Sequence, residues 1–332
     1  MAGGVGERVD VHLHLSRYWP DIRRNSYDPA LDFTVPSLLR ELDAQGIGHG
    51  VLLQLHQAPS VAATLQEGQA LFESSGGRLL PTSTVDPTAG AAAVTAAGRA
   101  WEKSPGLVAL KLYPGYRAFY PHDRRLAPVY EFAARRRLPV MIHQGDTMDP
   151  NGLLKYARPL EVDEVAVQYR DVALVLCHLG NPWVEETAEV VYKNENVYTD
   201  TSGLLGPPKL PYFATMVERC RRRLASAIAT IGASDRVLYG SDWPLESIAT
   251  AVGLVEGLDL PEEDRAAILG GNARKLFRIP SGVARVPPIT SGGAGLHGEQ
   301  PRPRATSYRG PRRSSARSGA RGKRWAARSP RR

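Results

Sequence analysis

Two histidines stand two residues apart in the stretch 9–14, which reads Val-Asp-Val-His-Leu-His. Apolar and polar residues alternate there, and this alternation predicts a β-strand with one face against a hydrophobic layer. Residues two apart project from the same face of a strand about 7 Å apart, so the imidazoles of His12 and His14 converge beyond the strand's end. Two neutral imidazoles suit a divalent metal such as zinc. A pair of surface histidines is the alternative that this stretch alone leaves open.

The rest of the chain alternates between short apolar runs and segments whose apolar residues follow helical spacing. Eight such strand-then-helix units predict an α/β fold, a (β/α)8 TIM barrel, and the length suits one. Short apolar strands are what a parallel sheet covered by helices requires. The predicted strands are residues 9–14, 49–55, 79–85, 107–113, 139–144, 172–178, 197–201 and 237–241.

Polar residues stand at the carboxyl ends of these predicted strands, where the chemistry of TIM barrels takes place. Besides the first two histidines, they are Lys111, His143, His178, Asp200 and Asp242. Alternation along the fifth strand directs Met141 and His143 into the barrel. The same rule directs Val175 and Cys177 of the sixth strand towards the helices, so Cys177 is predicted to be a packing residue and not a nucleophile. Three imidazoles with a carboxylate would make a nitrogen-rich site for a divalent ion and a water.

Five motifs together resemble the amidohydrolase-related branch of the metal-dependent amidohydrolase superfamily. They are the His-x-His of 9–14, Ile-His-Gln-Gly at 142–145, Cys-His-Leu-Gly at 177–180, Tyr-Gly-Ser-Asp-Trp-Pro at 239–244 and Gly-Gly-Asn-Ala-Arg-Lys-Leu-Phe at 270–277. The resemblance implies that His12, His14, His143 and Asp242 bind one divalent ion, for which we expect Zn²⁺. It also implies that Asp242 accepts a proton from the activated water. His178 would stand beside the metal as a proton shuttle or polarising donor or, as in other branches of the superfamily, bind the metal directly.

Four further residues are candidates for substrate binding: Lys111, Arg17, Arg117 and His56. Lys111 would bind a substrate carboxylate as an ammonium group or, as an alternative, bridge two metals after carbamylation. Arg17 and Arg117 lie in predicted loops and would hold an anion, or are simply solvated. His56 ends the second strand with the parity that faces the pocket. An apolar lid over a ring-shaped substrate is the predicted role of Tyr18, Trp19, Tyr113, Tyr116, Phe119 and Tyr120, with a satellite hydrophobic cluster as the alternative.

Composition excludes several classes of protein. Of the 332 residues 42% are hydrophobic, which supplies a large core, and no apolar run approaches the roughly 18 residues that span a membrane. Residues 1–8 lack the pattern of a signal peptide, and only two cysteines occur, so we expect a cytoplasmic protein without membrane attachment. A homo-oligomer is left open.

Charge divides the chain into two parts. Residues 281–332 hold thirteen Lys or Arg against one acid, Glu299, so this segment carries +12 of a total net charge of +8 and residues 1–280 carry −4. We therefore predict a catalytic domain at 1–280 and a disordered, basic tail at 281–332. The acidic body argues against nucleic-acid binding, and the tail offers only Tyr308 and Trp325 for stacking on bases. A protein that binds nucleic acid through its tail is a third, less favoured interpretation.

These observations lead to a metal-dependent hydrolase as the main prediction. A water activated by the metal would cleave a lactone, amide or ester of a small, cyclic or aromatic substrate. The alternative is a lyase, because the same branch contains nonoxidative decarboxylases of hydroxylated aromatic acids. The ligand set does not separate the two reactions, since barrel loops determine the substrate.

Overall fold

The computed structural model describes residues 8–19, 21–206 and 208–280, which belong to one compact unit. The basic tail predicted for residues 281–332 lies outside the described residues. Its disorder and the domain boundary at residue 280 therefore stay predictions.

Eight strands form one parallel sheet in the order of the sequence. Val11 N–H donates to the carbonyl of Tyr239 at 3.0 Å, and Asp242 N–H donates to that of His12 at 2.9 Å, so the eighth strand meets the first. The predicted (β/α)8 barrel is therefore confirmed. The strands are β1 (Arg8–Leu13), β2 (Ile47–Leu52), β3 (Leu79–Thr84), β4 (Ala109–Leu112), β5 (Val140–Ile142), β6 (Leu174–Leu176), β7 (Val197–Asp200) and β8 (Val237–Leu238).

Helices cover the outside of the barrel, and two of those in the described ranges begin at a hydroxyl cap. Thr34, for example, accepts a hydrogen bond from Ser37 N–H at the start of the second helix. The helices are α1 (Ile22–Asn25), α2 (Val35–Ala44), α3 (Val61–Ser74), α4 (Ala91–Glu102), α5 (Ala127–Arg136), α6 (Asp163–Gln168), α7 (Val184–Lys193), α8 (Phe213–Ile231), α9 (Ile248–Glu256), α10 (Glu262–Ala266) and α11 (Asn272–Phe277). Within the described ranges, no helix combines the length and apolar character needed to cross a bilayer.

Two hydrophobic clusters divide the strand residues by the face they occupy. Val140 and Ile142 of β5 pack with helix residues such as Phe132, in the layer between barrel and helices. Met141 belongs to the cluster inside the barrel. The alternation predicted for the fifth strand is therefore correct, and it directs the next residue of the same parity, His143, towards the mouth of the barrel.

The sixth strand corrects the sequence-based prediction. Val175 and Cys177 lie in the interior cluster, so the prediction that they face the helices is wrong. The reason is a bend directly after the strand, where His178 has φ 62° and Leu179 has φ 47°. This left-handed turn interrupts the alternation, so Cys177 faces the barrel interior and His178 also reaches its mouth. Cys177 is fully buried, as expected of a packing residue.

Candidate metal centre

His12 and His14 leave the end of β1 and converge on one carboxylate. Their Nε2 atoms lie 3.4 Å and 3.3 Å from Oδ1 of Asp242. His14 Nδ1 donates to the carbonyl of Leu53 at 3.1 Å, so its Nε2 carries a lone pair. The pairing of β1 with β2 shifts register after Asp10, whose Oδ1 accepts from His12 N–H at 3.0 Å. The two imidazoles meet as the sequence predicts, although the strand that carries them is irregular.

Asp242 faces the two histidines from the end of β8, with a left-handed φ of 61°. Among the described residues, its Oδ1 and His12 Nε2 are buried atoms without a hydrogen-bond partner. A carboxylate oxygen and an imidazole lone pair 3.4 Å apart repel each other unless a cation or proton lies between them. Burial raises the pKa of Asp242, but His12, His14 and His178 outweigh it and hold the pKa below its usual range. The donor set therefore fits a divalent cation.

His178 lies closer to this group than His143. One ligand atom from each of His12, His178 and Asp242 lies within 4.8 Å of the other two. His143 Nδ1 is 3.1 Å from His178 Nε2, and His143 Nε2 donates to the carbonyl of Asp146 at 2.9 Å. His143 thus contacts the group through His178, and its role as a metal ligand stays a prediction.

The segment 200–203 contacts His12 and His178, and the sequence analysis assigned no role to it. Asp200 ends β7 fully buried, and its Oδ2 lies 2.9 Å from His12 Nδ1. Ser202 Oγ is 2.9 Å from His178 Nδ1. Gly203 has φ 63°, and a Cβ there would lie 2.6 Å from His178 Nδ1. The signal available in the sequence was the polar run Asp-Thr-Ser-Gly at the end of a buried strand.

Lys111 points into the barrel, where none of it is exposed. Its Nζ donates to Cys177 Sγ at 2.8 Å and lies 5.2 Å from the ring centroid of Tyr113. Burial raises the pKa of the Cys177 thiol far above its usual range, so the thiol is neutral. Burial also lowers the pKa of His12 and of His143, and the Lys111 charge lowers both further. Lys111 places a positive charge beneath the site, and both its contact with substrate and its carbamylation stay predictions.

The two arginines predicted to hold an anion are each paired with an acidic residue. Arg17 Nε lies 3.3 Å from Glu67 Oε1, and its backbone N–H donates to the same oxygen at 2.8 Å. Arg117 Nε lies 3.3 Å from Asp86 Oδ2, and its guanidinium donates to the carbonyl of His56 at 3.3 Å. A substrate anion would have to compete with these carboxylates, so substrate binding by either arginine stays a prediction.

Aromatic rings form one wall beside the histidines. The ring centroid of Tyr116 lies 4.7 Å from that of His143 and 4.9 Å from that of His56. Trp19 meets His14 edge-on at 5.7 Å. His56 therefore packs within this wall, and its contact with substrate stays a prediction. Of the predicted lid residues, those with ring contacts to site histidines are Trp19, Tyr113 and Tyr116.

A family model described as amidohydrolase matches residues 9–279. The chain belongs to this amidohydrolase family. The match includes residues of all eight strands and every residue of the candidate metal centre.

Curated relatives of this amidohydrolase are γ-resorcylate decarboxylases. The protein from Polaromonas sp. strain JS666 is 33% identical over 34% of this chain, and the match covers 36% of the relative. Those from Rhizobium radiobacter and Rhizobium sp. strain MTP-10005 are 38% identical over 27% and 26% of this chain. These two matches span only 23% and 22% of the relatives' own length.

Solved structures share the fold of this amidohydrolase over most of its length. An uncharacterised TIM-barrel protein from Bordetella bronchiseptica has a TM-score of 0.63 at 23% identity, with 82% of this chain and 98% of that chain covered. A dihydroxybenzoic acid decarboxylase from Polaromonas sp. JS666, solved with bound manganese, has a TM-score of 0.61 at 17% identity. That match covers 82% of this chain and 97% of the decarboxylase.

The relatives correct the main functional prediction for this amidohydrolase. The prediction of a hydrolase is wrong, because the curated relatives are decarboxylases. The alternative that the sequence left open, a metal-dependent decarboxylase, has the better support.

Proposed function

We propose that this amidohydrolase is a metal-dependent, nonoxidative decarboxylase of a hydroxylated aromatic acid. The observation that carries the proposal is the similarity to three γ-resorcylate decarboxylases at 33–38% identity. These matches cover about a third or less of this chain, so the proposed activity is also argued from the site's own residues.

The proposed cofactor is one divalent ion, held by His12, His14, His143 and Asp242. The unpartnered Nε2 of His12 and Oδ1 of Asp242 support this, because both are buried atoms that a cation would satisfy. Manganese, which a decarboxylase of similar fold binds, and zinc, which suits imidazole ligands, are the two ions to distinguish. When bound, the ion supplies Lewis-acid stabilisation of negative charge on the carboxylate and phenolic oxygens of the substrate.

Asp242 and His178 are the residues we assign to proton delivery. In decarboxylation the bond between ring carbon and carboxylate breaks, carbon dioxide leaves, and the electron pair left on the ring carbon takes up a proton. Asp242 Oδ2 and His178 Nδ1 lie 4.0 Å apart, too far for a direct hydrogen bond, so a water or the substrate itself would connect them when one of them passes a proton to that carbon. Solvent then replaces the proton, so a carboxylate and a proton yield a phenol and carbon dioxide.

The surroundings of the site favour an aromatic carboxylate. Trp19 and Tyr116 contact His14 and His143 and offer apolar ring surface to a planar substrate. Lys111 adds a buried positive charge below the histidines, where it attracts one negative charge through a medium of low dielectric constant. A hydroxybenzoate has both a planar ring and one negative charge.

The test is a panel of mono- and dihydroxybenzoates incubated with protein loaded with manganese or zinc. We expect carbon dioxide and the matching phenol in equal amounts, with 2,6-dihydroxybenzoate among the substrates. Asp242→Asn and His178→Asn should lower the rate about 100-fold or more, as loss of a proton donor does. Fully metal-loaded protein that releases no carbon dioxide from any member of the panel would contradict the proposal.

A further inference from the structure

Asp200 is not one of the predicted metal ligands, but it forms hydrogen bonds with several groups of the metal centre. Its Oδ2 lies 2.9 Å from His12 Nδ1. Its Oδ1 accepts from His178 N–H at 2.8 Å, from Ser202 N–H at 3.1 Å and from the Ser202 hydroxyl. We infer that Asp200, with Ser202, is a positioning residue that determines which nitrogen of His12 faces the metal. This inference rests on the proposed metal site.

The hydrogen bond to Asp200 selects one tautomer of His12. A carboxylate only accepts, so the proton of a neutral His12 must sit on Nδ1. His12 Nε2 then carries a lone pair, and this is the atom that lies buried and unpartnered 3.4 Å from Asp242 Oδ1. A carboxylate that holds the far nitrogen of a ligating histidine is a common device for fixing its orientation and raising its basicity.

Ser202 contacts the imidazole of His178 as well as that of His12. Its Oγ lies 2.9 Å from His12 Nδ1 and 2.9 Å from His178 Nδ1. Asp200 also accepts from the backbone of His178, which stands in the left-handed turn after β6. One carboxylate and one hydroxyl from the end of β7 therefore hold two imidazoles that come from β1 and from the turn after β6.

Asp200→Asn should reverse the tautomer of His12 while leaving the shape of the side chain intact. Three donors meet Asp200 Oδ1, so the amide oxygen of asparagine takes that position and its NH₂ group points at His12 Nδ1. Nδ1 must then accept, and the proton moves to Nε2. A protonated Nε2 cannot bind a metal.

Asp10 provides a matched control, because it is also fully buried and also bonds His12. Its Oδ1 accepts from two backbone groups, His12 N–H at 3.0 Å and Ser241 N–H at 3.1 Å, so the amide oxygen of asparagine takes its place. Asp10→Asn keeps the tautomer of His12.

The experiment measures metal binding and tautomer without substrate. Manganese and zinc affinities of wild type, Asp200→Asn, Ser202→Ala and Asp10→Asn are determined by competition with a chelator. ¹⁵N-labelled histidine in metal-free protein reports the tautomer by NMR. We expect Asp200→Asn to lose 10- to 100-fold in metal affinity and to move the His12 proton to Nε2, Ser202→Ala to lose less, and Asp10→Asn to stay within about threefold of wild type.

Two results would overturn the inference: an unchanged tautomer in Asp200→Asn, or an equal loss of metal affinity in Asp10→Asn. Equal melting temperatures of the metal-free variants establish that folding is not the cause. Because no substrate is present, a protein that behaves as expected here but releases no carbon dioxide would refute the proposed function and leave this inference intact.

Discussion

At the scale of single residues, the account depends on two buried atoms that face each other. His12 Nε2, from the first strand, and Asp242 Oδ1, from the segment after the eighth, lie 3.4 Å apart, and neither has a hydrogen-bond partner among the described residues. Buried polar atoms are rarely left unpaired in a folded protein, and those that are call for an ion, a water or a function. A divalent ion accounts for both atoms at once.

Loss of either atom should abolish metal binding. We expect His12→Ala and Asp242→Ala to contain less than a tenth of the metal found in wild type after identical loading, as measured by elemental analysis. His122→Ala is the control, since His122 is partly exposed and bonds Glu161. Metal retained by the first two variants at the level of wild type would contradict the ligand assignment.

Lys111 should act on anionic substrates through its charge. In Lys111→Met the buried positive charge is lost at similar volume, and we expect KM for a hydroxybenzoate to rise about tenfold. Inhibition by the uncharged phenol product should change little. Arg135→Met, at an exposed arginine that pairs with Glu102, is the control for net charge. Equal weakening of acid and phenol would indicate a structural role for Lys111.

At the scale of elements, the barrel and most of its site were predictable from the sequence. The exception is the sixth strand. Alternation correctly placed Met141 inside the barrel but failed at Cys177, because His178 and Leu179 adopt a left-handed turn that no period-two rule contains. Asp200 was visible as a polar residue at a strand end. Its contact with His12 was not visible, because the two residues are 188 positions apart in the sequence.

The loop after β7 should tolerate no side chain at Gly203. A Cβ there would lie 2.6 Å from His178 Nδ1 and 3.2 Å from Asp242 Oδ2, at a φ that costs other residues about 1–2 kcal/mol. We expect Gly203→Ala to weaken metal binding and catalysis at least tenfold. Gly98→Ala in α4 is the matched control, because its added Cβ meets nothing within 4 Å. Equal activity of the two variants would contradict the packing of this loop.

His49 of β2 makes stability depend on pH. Burial, with the charges of Arg274 and Arg78, lowers its pKa to about 4 in the folded state, against about 6.5 in the unfolded chain. The unfolded state therefore binds the proton first, and stability present above about pH 6.5 is lost as the pH falls towards 4. Urea unfolding of metal-free protein should show that the free energy of unfolding falls less in His49→Gln than in wild type as the pH is lowered from about 6.5 to about 4. An identical pH dependence would contradict this assignment.

At the scale of the whole molecule, the fold was predictable from sequence and the reaction was not. Eight strand-helix units and five motifs identify an amidohydrolase barrel, and the family match over residues 9–279 confirms it. The predicted ligand set, which includes His12 and Asp242, suits either hydrolysis or decarboxylation, so it could not separate the two reactions. In barrels of this kind the loops determine the substrate, and the contacts of loop residues such as Tyr116 depend on the folded chain.

The most direct test of the account is a metal titration followed by the reaction itself. Metal-free protein is titrated with manganese, and in parallel with zinc, while carbon dioxide release from 2,6-dihydroxybenzoate is measured. We predict that release begins with the first additions of an active ion and saturates at one ion per chain. Release that is independent of metal, or none at saturation with either ion, would contradict the account.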